Sequence, residues 1–150
     1  MKARGPEDGS SLREILVVEQ TDPRLRRRWF ESDFFDLFTW QDPDGAFVKF
    51  QLCYDVDLDE RALVWSRKEG FHHDGVENAR RMTPILVSGG RFDSGTVVPR
   101  FERESAGIAA EVRAFVLAKI REHLILLHQR KVRRRRVRRE PWQERKRTAD

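Results

Sequence analysis

Eight basic residues within ten positions form the strongest chemical signal in this chain. They are Arg130, Lys131, Arg133, Arg134, Arg135, Arg136, Arg138 and Arg139. Such a run repels itself, and each phosphate that it neutralises releases counterions, so it is typical of segments that bind nucleic-acid backbone without sequence preference. Arginine-rich segments also commonly fold on binding RNA. We predict RNA or DNA as the partner; an acidic protein, or no specific partner, are the alternatives.

The charge is divided unevenly along the chain. Residues 130–150 contain eleven basic and three acidic residues, a net charge of +8, whereas residues 1–129 contain nineteen basic and twenty-two acidic residues, a net charge of −3. The basic character therefore belongs to the tail. Val132 and Val137 are the only aliphatic residues among the eight charges, too few to anchor the tail in a lipid surface. We expect no membrane partner.

A second set of residues suggests a different chemistry. Asp36, Trp40, His72 and Asp74 could line a polar pocket of a small-molecule-binding or catalytic module. Neighbouring strand residues point to opposite faces, so His72 and the adjacent His73 would not converge on one metal ion. His72 and Asp74 can share a face, but two ligands are fewer than a zinc site needs. The sequence predicts neither a metal nor a cofactor.

The remaining titratable residues favour structural roles. A buried Asp36 must be paired or neutral, and we expect a hydrogen bond from a backbone amide or an arginine. The acidic run 55–60 lacks the glycine and the closing glutamate of a calcium loop, which favours a solvated turn. Cys53, the single cysteine, lies in an apolar run and is expected to be a buried, inert thiol. His123 and His128, five residues apart on a helix, are expected at the surface.

Hydrophobic periodicity predicts the elements that position these residues. Alternation indicates a strand at Phe34–Trp40 and another at Ala46–Tyr54, joined by the turn Asp42-Pro43-Asp44-Gly45. The other predicted strands are Leu12–Glu19, Ala62–Ser66 and Phe71–Val76, with a short apolar piece at Pro84–Val87. The state of Arg24–Ser32 stays open. Short connections favour an antiparallel meander of four to five strands.

Two helices are predicted after Gly95. Thr96 is the predicted N-cap of a first helix that runs through Glu104, and Gly107 suits its end. A second helix carries an apolar stripe at Ile108, Val112, Phe115, Val116, Ile120, Leu124 and Leu127. Packing of this stripe on the sheet would give a two-layer α+β domain. Nothing stops the second helix before Pro141, so it can extend into the basic run.

The chain is thus divided into a disordered lead-in (1–11), one α+β domain (12–129) and a basic tail (130–150). Its core segments resemble a family of small bacterial proteins of unknown function. The likeness rests on Trp29-Phe30, Phe35-Asp36-Leu37, Trp40, Phe50 to Asp55, Ala62-Leu63 and Trp65. It covers roughly residues 12–122 and implies a bacterial single-domain protein, without assigning an activity or a binding residue.

Two functions of different class follow. The favoured interpretation is a non-enzymatic interaction protein whose basic tail binds an anionic polymer, while the α+β domain docks on a partner or forms a homodimer. The alternative is the pocket module described above, with the tail incidental. No glycine-rich phosphate loop and no nucleophile motif is present. The sequence also lacks an N-terminal hydrophobic segment, and its apolar patch at Leu124–Leu127 is far too short to cross a bilayer, so we expect a cytoplasmic protein.

Overall fold

The structure, a computed structural model, describes residues 9–75 and 92–147, with side chains to residue 137. Six strands form one antiparallel sheet in sequence order: β1 (Arg13–Ile15), β2 (Arg26–Glu31), β3 (Phe35–Gln41), β4 (Phe47–Tyr54), β5 (Arg61–Ser66) and β6 (Gly70–Gly75). They are followed by helices α1 (Ser94–Glu104) and α2 (Ala110–Arg147). The α+β class and the antiparallel meander are confirmed, and the sheet has more strands than the four to five predicted.

The additional strand is β2, the arginine-rich segment whose state the sequence left open. It pairs with β3 from Arg26 opposite Gln41 to Glu31 opposite Asp36, and β1 pairs with its other edge. From Arg27 to Glu31 its residues alternate between partly exposed and buried positions. The predicted strand Leu12–Glu19 is shorter than expected, and the predicted piece Pro84–Val87 lies outside the described residues.

Alternation gives the sheet two different faces. The inner face holds the core, which includes Phe30, Phe35, Leu37, Thr39, Phe50, Leu52 and Leu63, all fully buried. Helix α1 covers this face, with the rings of Phe101 and Phe35 edge-to-face and their centroids 5.7 Å apart. The opposite face, here called the outer face, carries the intervening residues of β2, β3 and β4. The partly exposed side chains of β2 and β3, such as Trp29 and Trp40, lie on the outer face, although Cys53 of β4 on the same face is buried.

The predicted β3–β4 hairpin is confirmed, and its turn works as the sequence indicated. Gly45 has a φ of 84°, a region that side chains disfavour. The Asp42 carboxylate accepts hydrogen bonds from the backbone N–H groups of Asp44 and Ala46, at 3.0 and 2.9 Å. The strand begins at Phe47, not at Ala46 as predicted. A register shift next to Gln41 places Phe47 opposite it.

The predicted N-cap of α1 is wrong, whereas its predicted last residue, Glu104, is confirmed. The N-cap is Asp93 rather than Thr96, because the Asp93 carboxylate accepts a hydrogen bond from the Thr96 backbone at 3.3 Å. The helix ends at Glu104 with Ser105 as its C-cap, before Gly107. The predicted continuation of α2 into the basic run is confirmed, and its backbone stays helical beyond Pro141.

The chain divides into two compact units, residues 1–117 and 118–150, with the boundary inside α2. The sequence had placed its boundary after Gln129. In the second unit His123 is only 7% exposed, which contradicts the surface position expected for it. It follows Ile120 by three residues and precedes Leu127 by four, so helical periodicity puts it in the apolar stripe. His128 is exposed as expected.

Candidate nucleic-acid interface

The basic run lies on the backbone of α2, and we call residues 130–139 the cationic arm. Six of its charged side chains are described: Arg130, Lys131, Arg133, Arg134, Arg135 and Arg136, and all six are exposed. The side chains of Arg138 and Arg139 lie outside the described ones. No carboxylate among the side chains of 9–75 and 92–137 forms an ion pair with any of the six. Their positive charge is therefore available to a partner.

Helical spacing distributes these charges around the arm. Successive residues of an α-helix are rotated by about 100°, so six charges in seven positions surround the axis. Arg130 has like-charged neighbours three and four residues away, at Arg133 and Arg134, and such pairs destabilise an isolated helix. An anion bound beside them would remove this repulsion. The arrangement suits an extended polyanion rather than one small anion.

The residues of the alternative pocket are distributed across the sheet. Asp36 and Trp40 lie on β3, whereas His72 and Asp74 lie on β6, with β4 and β5 between them. The register runs from Asp36 through β4 and β5 to Asp74, which separates the two backbones by three strand spacings, or about 14 Å. These four residues share one face of the sheet and do not converge on a common point.

The two adjacent histidines point to opposite faces, as strand geometry predicts. His72 is exposed on the outer face, and its Nε2 atom lies 3.8 Å from the Glu69 carboxylate. His73 faces inward, where its Nε2 atom lies 2.7 Å from the Tyr54 hydroxyl. Burial is the main cause that raises the pKa of Tyr54. In the described part of the chain, no group of three side chains is suited to hold a metal ion.

Asp36 has a structural partner that the sequence analysis did not name. Its carboxylate accepts a hydrogen bond from the indole nitrogen of Trp29 at 2.9 Å, instead of from a backbone amide or an arginine. Burial raises the pKa of Asp36, and the indole hydrogen bond opposes that rise. Asp36 therefore holds the Trp29 ring in place on the outer face.

The expected burial of the single thiol is confirmed. Cys53 is 3% exposed, and burial raises its pKa to about 11. The thiol is therefore protonated at neutral pH, whereas a nucleophilic cysteine needs a lowered pKa.

The outer face carries a cluster that the sequence analysis missed. Arg27, Trp29, Phe38, Trp40 and Lys49 lie side by side on β2, β3 and β4, all partly exposed; we call them the outer patch. The Arg27 guanidinium carbon lies 4.7 Å from the Phe38 ring centroid, and the Lys49 ammonium lies 4.8 Å from that of Trp40. The alternation of residues in β2 could have revealed this cluster from the sequence, but only if β2 had been recognised as a strand.

Comparisons with protein-family profiles, with curated proteins and with solved structures found no match. The resemblance to a bacterial family therefore stays a prediction from the sequence. Among the described helices, none combines the length and the apolar character that crossing a bilayer would require.

Proposed function

We propose that this protein is a non-enzymatic nucleic-acid-binding protein whose cationic arm holds the phosphate backbone of RNA or DNA. One observation carries the proposal: the six described basic side chains of the arm are exposed and lack a carboxylate partner among the described residues. Each of them can replace a counterion at a phosphate, which supplies affinity through counterion release.

The composition of the arm favours phosphate over a carboxylate-bearing partner. Five of the six described charges are arginines, and Lys131 is the exception. The planar guanidinium group binds phosphate oxygens in pairs and also stacks on nucleobases, which an ammonium group does not do. An acidic protein offers carboxylates to the same groups but no bases. Nucleic acid can therefore interact with the arginines both through its phosphates and through its bases, whereas an acidic protein offers only negative charge.

The test compares two double variants that each lose two positive charges and therefore have the same net charge. One variant carries Arg133→Gln and Arg134→Gln in the arm. The matched control carries Lys68→Gln and Arg103→Gln, two exposed basic residues of the first unit. Affinity for a fluorescein-labelled 12-nucleotide oligouridylate is measured by anisotropy at 50 mM NaCl. We expect the arm pair to weaken binding about tenfold or more through the loss of two phosphate contacts, and the control pair to change it much less.

A competition experiment separates the two classes of anionic partner. Unlabelled oligouridylate and poly-glutamate of equal charge are titrated against the labelled complex. Displacement by the nucleic acid at far lower concentration supports the proposal. Equal displacement by poly-glutamate would identify the arm as a site for acidic partners in general. Equal losses of affinity in the arm variant and in its matched control would show that only the net charge of the protein matters.

A further inference from the structure

We propose that the outer patch is a second, separate nucleic-acid contact, at which the bases of a single strand stack. The inference rests on the proposed function and names its ligand as single-stranded nucleic acid. It is carried by three aromatic rings and two cations that adjacent strands bring together. None of these residues belongs to the core or to the arm.

The rings form a continuous aromatic surface. The Trp29 and Phe38 rings are nearly parallel, with centroids 5.8 Å apart. The Phe38 and Trp40 centroids are 6.3 Å apart. All three side chains are partly exposed, whereas the core aromatic residues Phe30 and Phe50 are fully buried. Proteins that bind single strands use exposed rings of this kind as stacking platforms, because every base has a π-face.

The two cations have no competing anion. The strand register places Arg27 and Lys49 on either side of Trp40. No described carboxylate forms an ion pair with Arg27 or Lys49, and the Nε atom of Arg27 has no hydrogen-bond partner among the described residues. Positive charge beside exposed rings complements a ligand that carries phosphates next to aromatic bases.

Local hydrogen bonds fix the orientation of the patch before any ligand arrives. The Gln20 side chain pairs with both backbone polar groups of Arg27, each at 2.8 Å, beyond the point where β1 ends. The Asp36 carboxylate holds the Trp29 indole at 2.9 Å. A contact surface whose parts are already ordered loses less conformational entropy on binding. Both anchors lie outside the stacking surface itself.

The geometry favours a single strand over a duplex and over a second copy of this chain. Bases in a duplex are stacked on one another and do not present their faces to a flat sheet. A second copy docked around Trp40 would bring its own Arg27 and Lys49 against the same two cations. Like charges brought together in this way oppose association, whereas phosphates would be attracted.

The experiment separates base contacts from backbone contacts. Wild-type protein is titrated with the labelled 12-nucleotide oligouridylate and with an abasic backbone of the same length and charge. The variants are Trp40→Leu, Trp40→Phe and the pair Arg27→Gln/Lys49→Gln, with Lys68→Gln/Arg103→Gln as the matched charge control. Circular dichroism confirms the fold of each, and sedimentation velocity gives the oligomeric state.

The expected result is that wild type binds oligouridylate roughly tenfold or more tightly than the abasic backbone, the effect of one or more stacked bases. Trp40→Leu should abolish this preference and leave abasic binding unchanged, while Trp40→Phe should retain most of it. The Arg27/Lys49 pair should weaken binding to oligouridylate more than the control pair does. An equivalent DNA oligomer shows whether ribose is required.

Each failure has its own meaning. If wild type binds both ligands equally and only arm variants lose affinity, the proposed function stands and the outer patch is not a contact. If neutralising the arm changes neither the affinity for the two ligands nor the base preference, the patch binds and the arm does not. A dimer in wild type that Trp40→Leu converts to a monomer, with binding unchanged, would assign the outer patch to self-association and overturn the inference.

Discussion

Replacing Arg133 and Arg134 by glutamine should lower the salt dependence of nucleic-acid binding by an amount set by two charges. For single strands, the slope of log K against log salt is about −0.7 per phosphate neutralised. If all six described arm charges contact phosphates, the arm contributes a slope of about −4, and affinity falls about 300-fold between 50 and 200 mM salt. With four charges the slope is about −3 and the fall about 50-fold.

The assay is fluorescence anisotropy with the 12-nucleotide oligouridylate at five NaCl concentrations between 50 and 200 mM. The Lys68→Gln/Arg103→Gln variant, which has the same net charge, should keep the wild-type slope because its substitutions lie outside the arm. An unchanged slope in the arm variant would refute the reasoning, since its two guanidinium groups would then displace no counterions. An equal change in the control would show that the whole protein's charge, not the arm, sets the slope.

Further predictions concern the fold. Thr39 is fully buried, and its hydroxyl has no hydrogen-bond partner among the described residues. Thr39→Val should therefore raise the free energy of unfolding, measured in urea, by about 1 kcal/mol. A lower free energy of unfolding would show that the hydroxyl has a hydrogen-bond partner after all. The hydrogen bonds from Arg28 hold the pKa of the Glu14 carboxyl below its usual value. This interaction therefore stabilises the folded protein fully at pH values above the usual pKa, and the stabilisation is lost as the pH falls through the lowered pKa of the folded state. Glu14→Gln should therefore cost about 1.5 kcal/mol at pH 7 and progressively less as the pH falls below the usual pKa of a glutamate; a pH-independent cost would contradict this. Cys53 should react with iodoacetamide only after unfolding, and rapid labelling of the folded protein would contradict its burial.

Local patterns predicted much of the fold because their causes are local. The β3–β4 hairpin follows from the turn Asp42–Gly45 and from alternation in the strands beside it. The exposure of the cationic arm was equally predictable, because the charges of consecutive arginines favour contact with water. The position of His123 was also readable from helical periodicity, although its polar type suggested the surface. For this residue, the polar side-chain type led to the wrong prediction, whereas its spacing from the apolar residues of the helix indicated the buried position.

The features that were missed depend on pairing between distant segments. β2 mixes arginine with aromatic residues, and it forms a strand because β1 and β3 cover both of its edges. The inward turn of Phe47, which stacks on Phe115 with centroids 4.3 Å apart, follows from a register shift next to Gln41. The outer patch needs three strands in register before its residues meet. No single window of sequence contains that information.

The charge of the arm is tested most directly by replacing all six described basic residues, at positions 130, 131 and 133–136, with glutamine in the full chain. Glutamine has a helix propensity similar to that of arginine and lysine, so the backbone of α2 should be retained, and circular dichroism checks this. Affinity for the labelled oligouridylate at 50 mM NaCl is then compared with wild type. We expect a loss of roughly 100-fold or more. Unchanged affinity in a folded variant would contradict the proposed function.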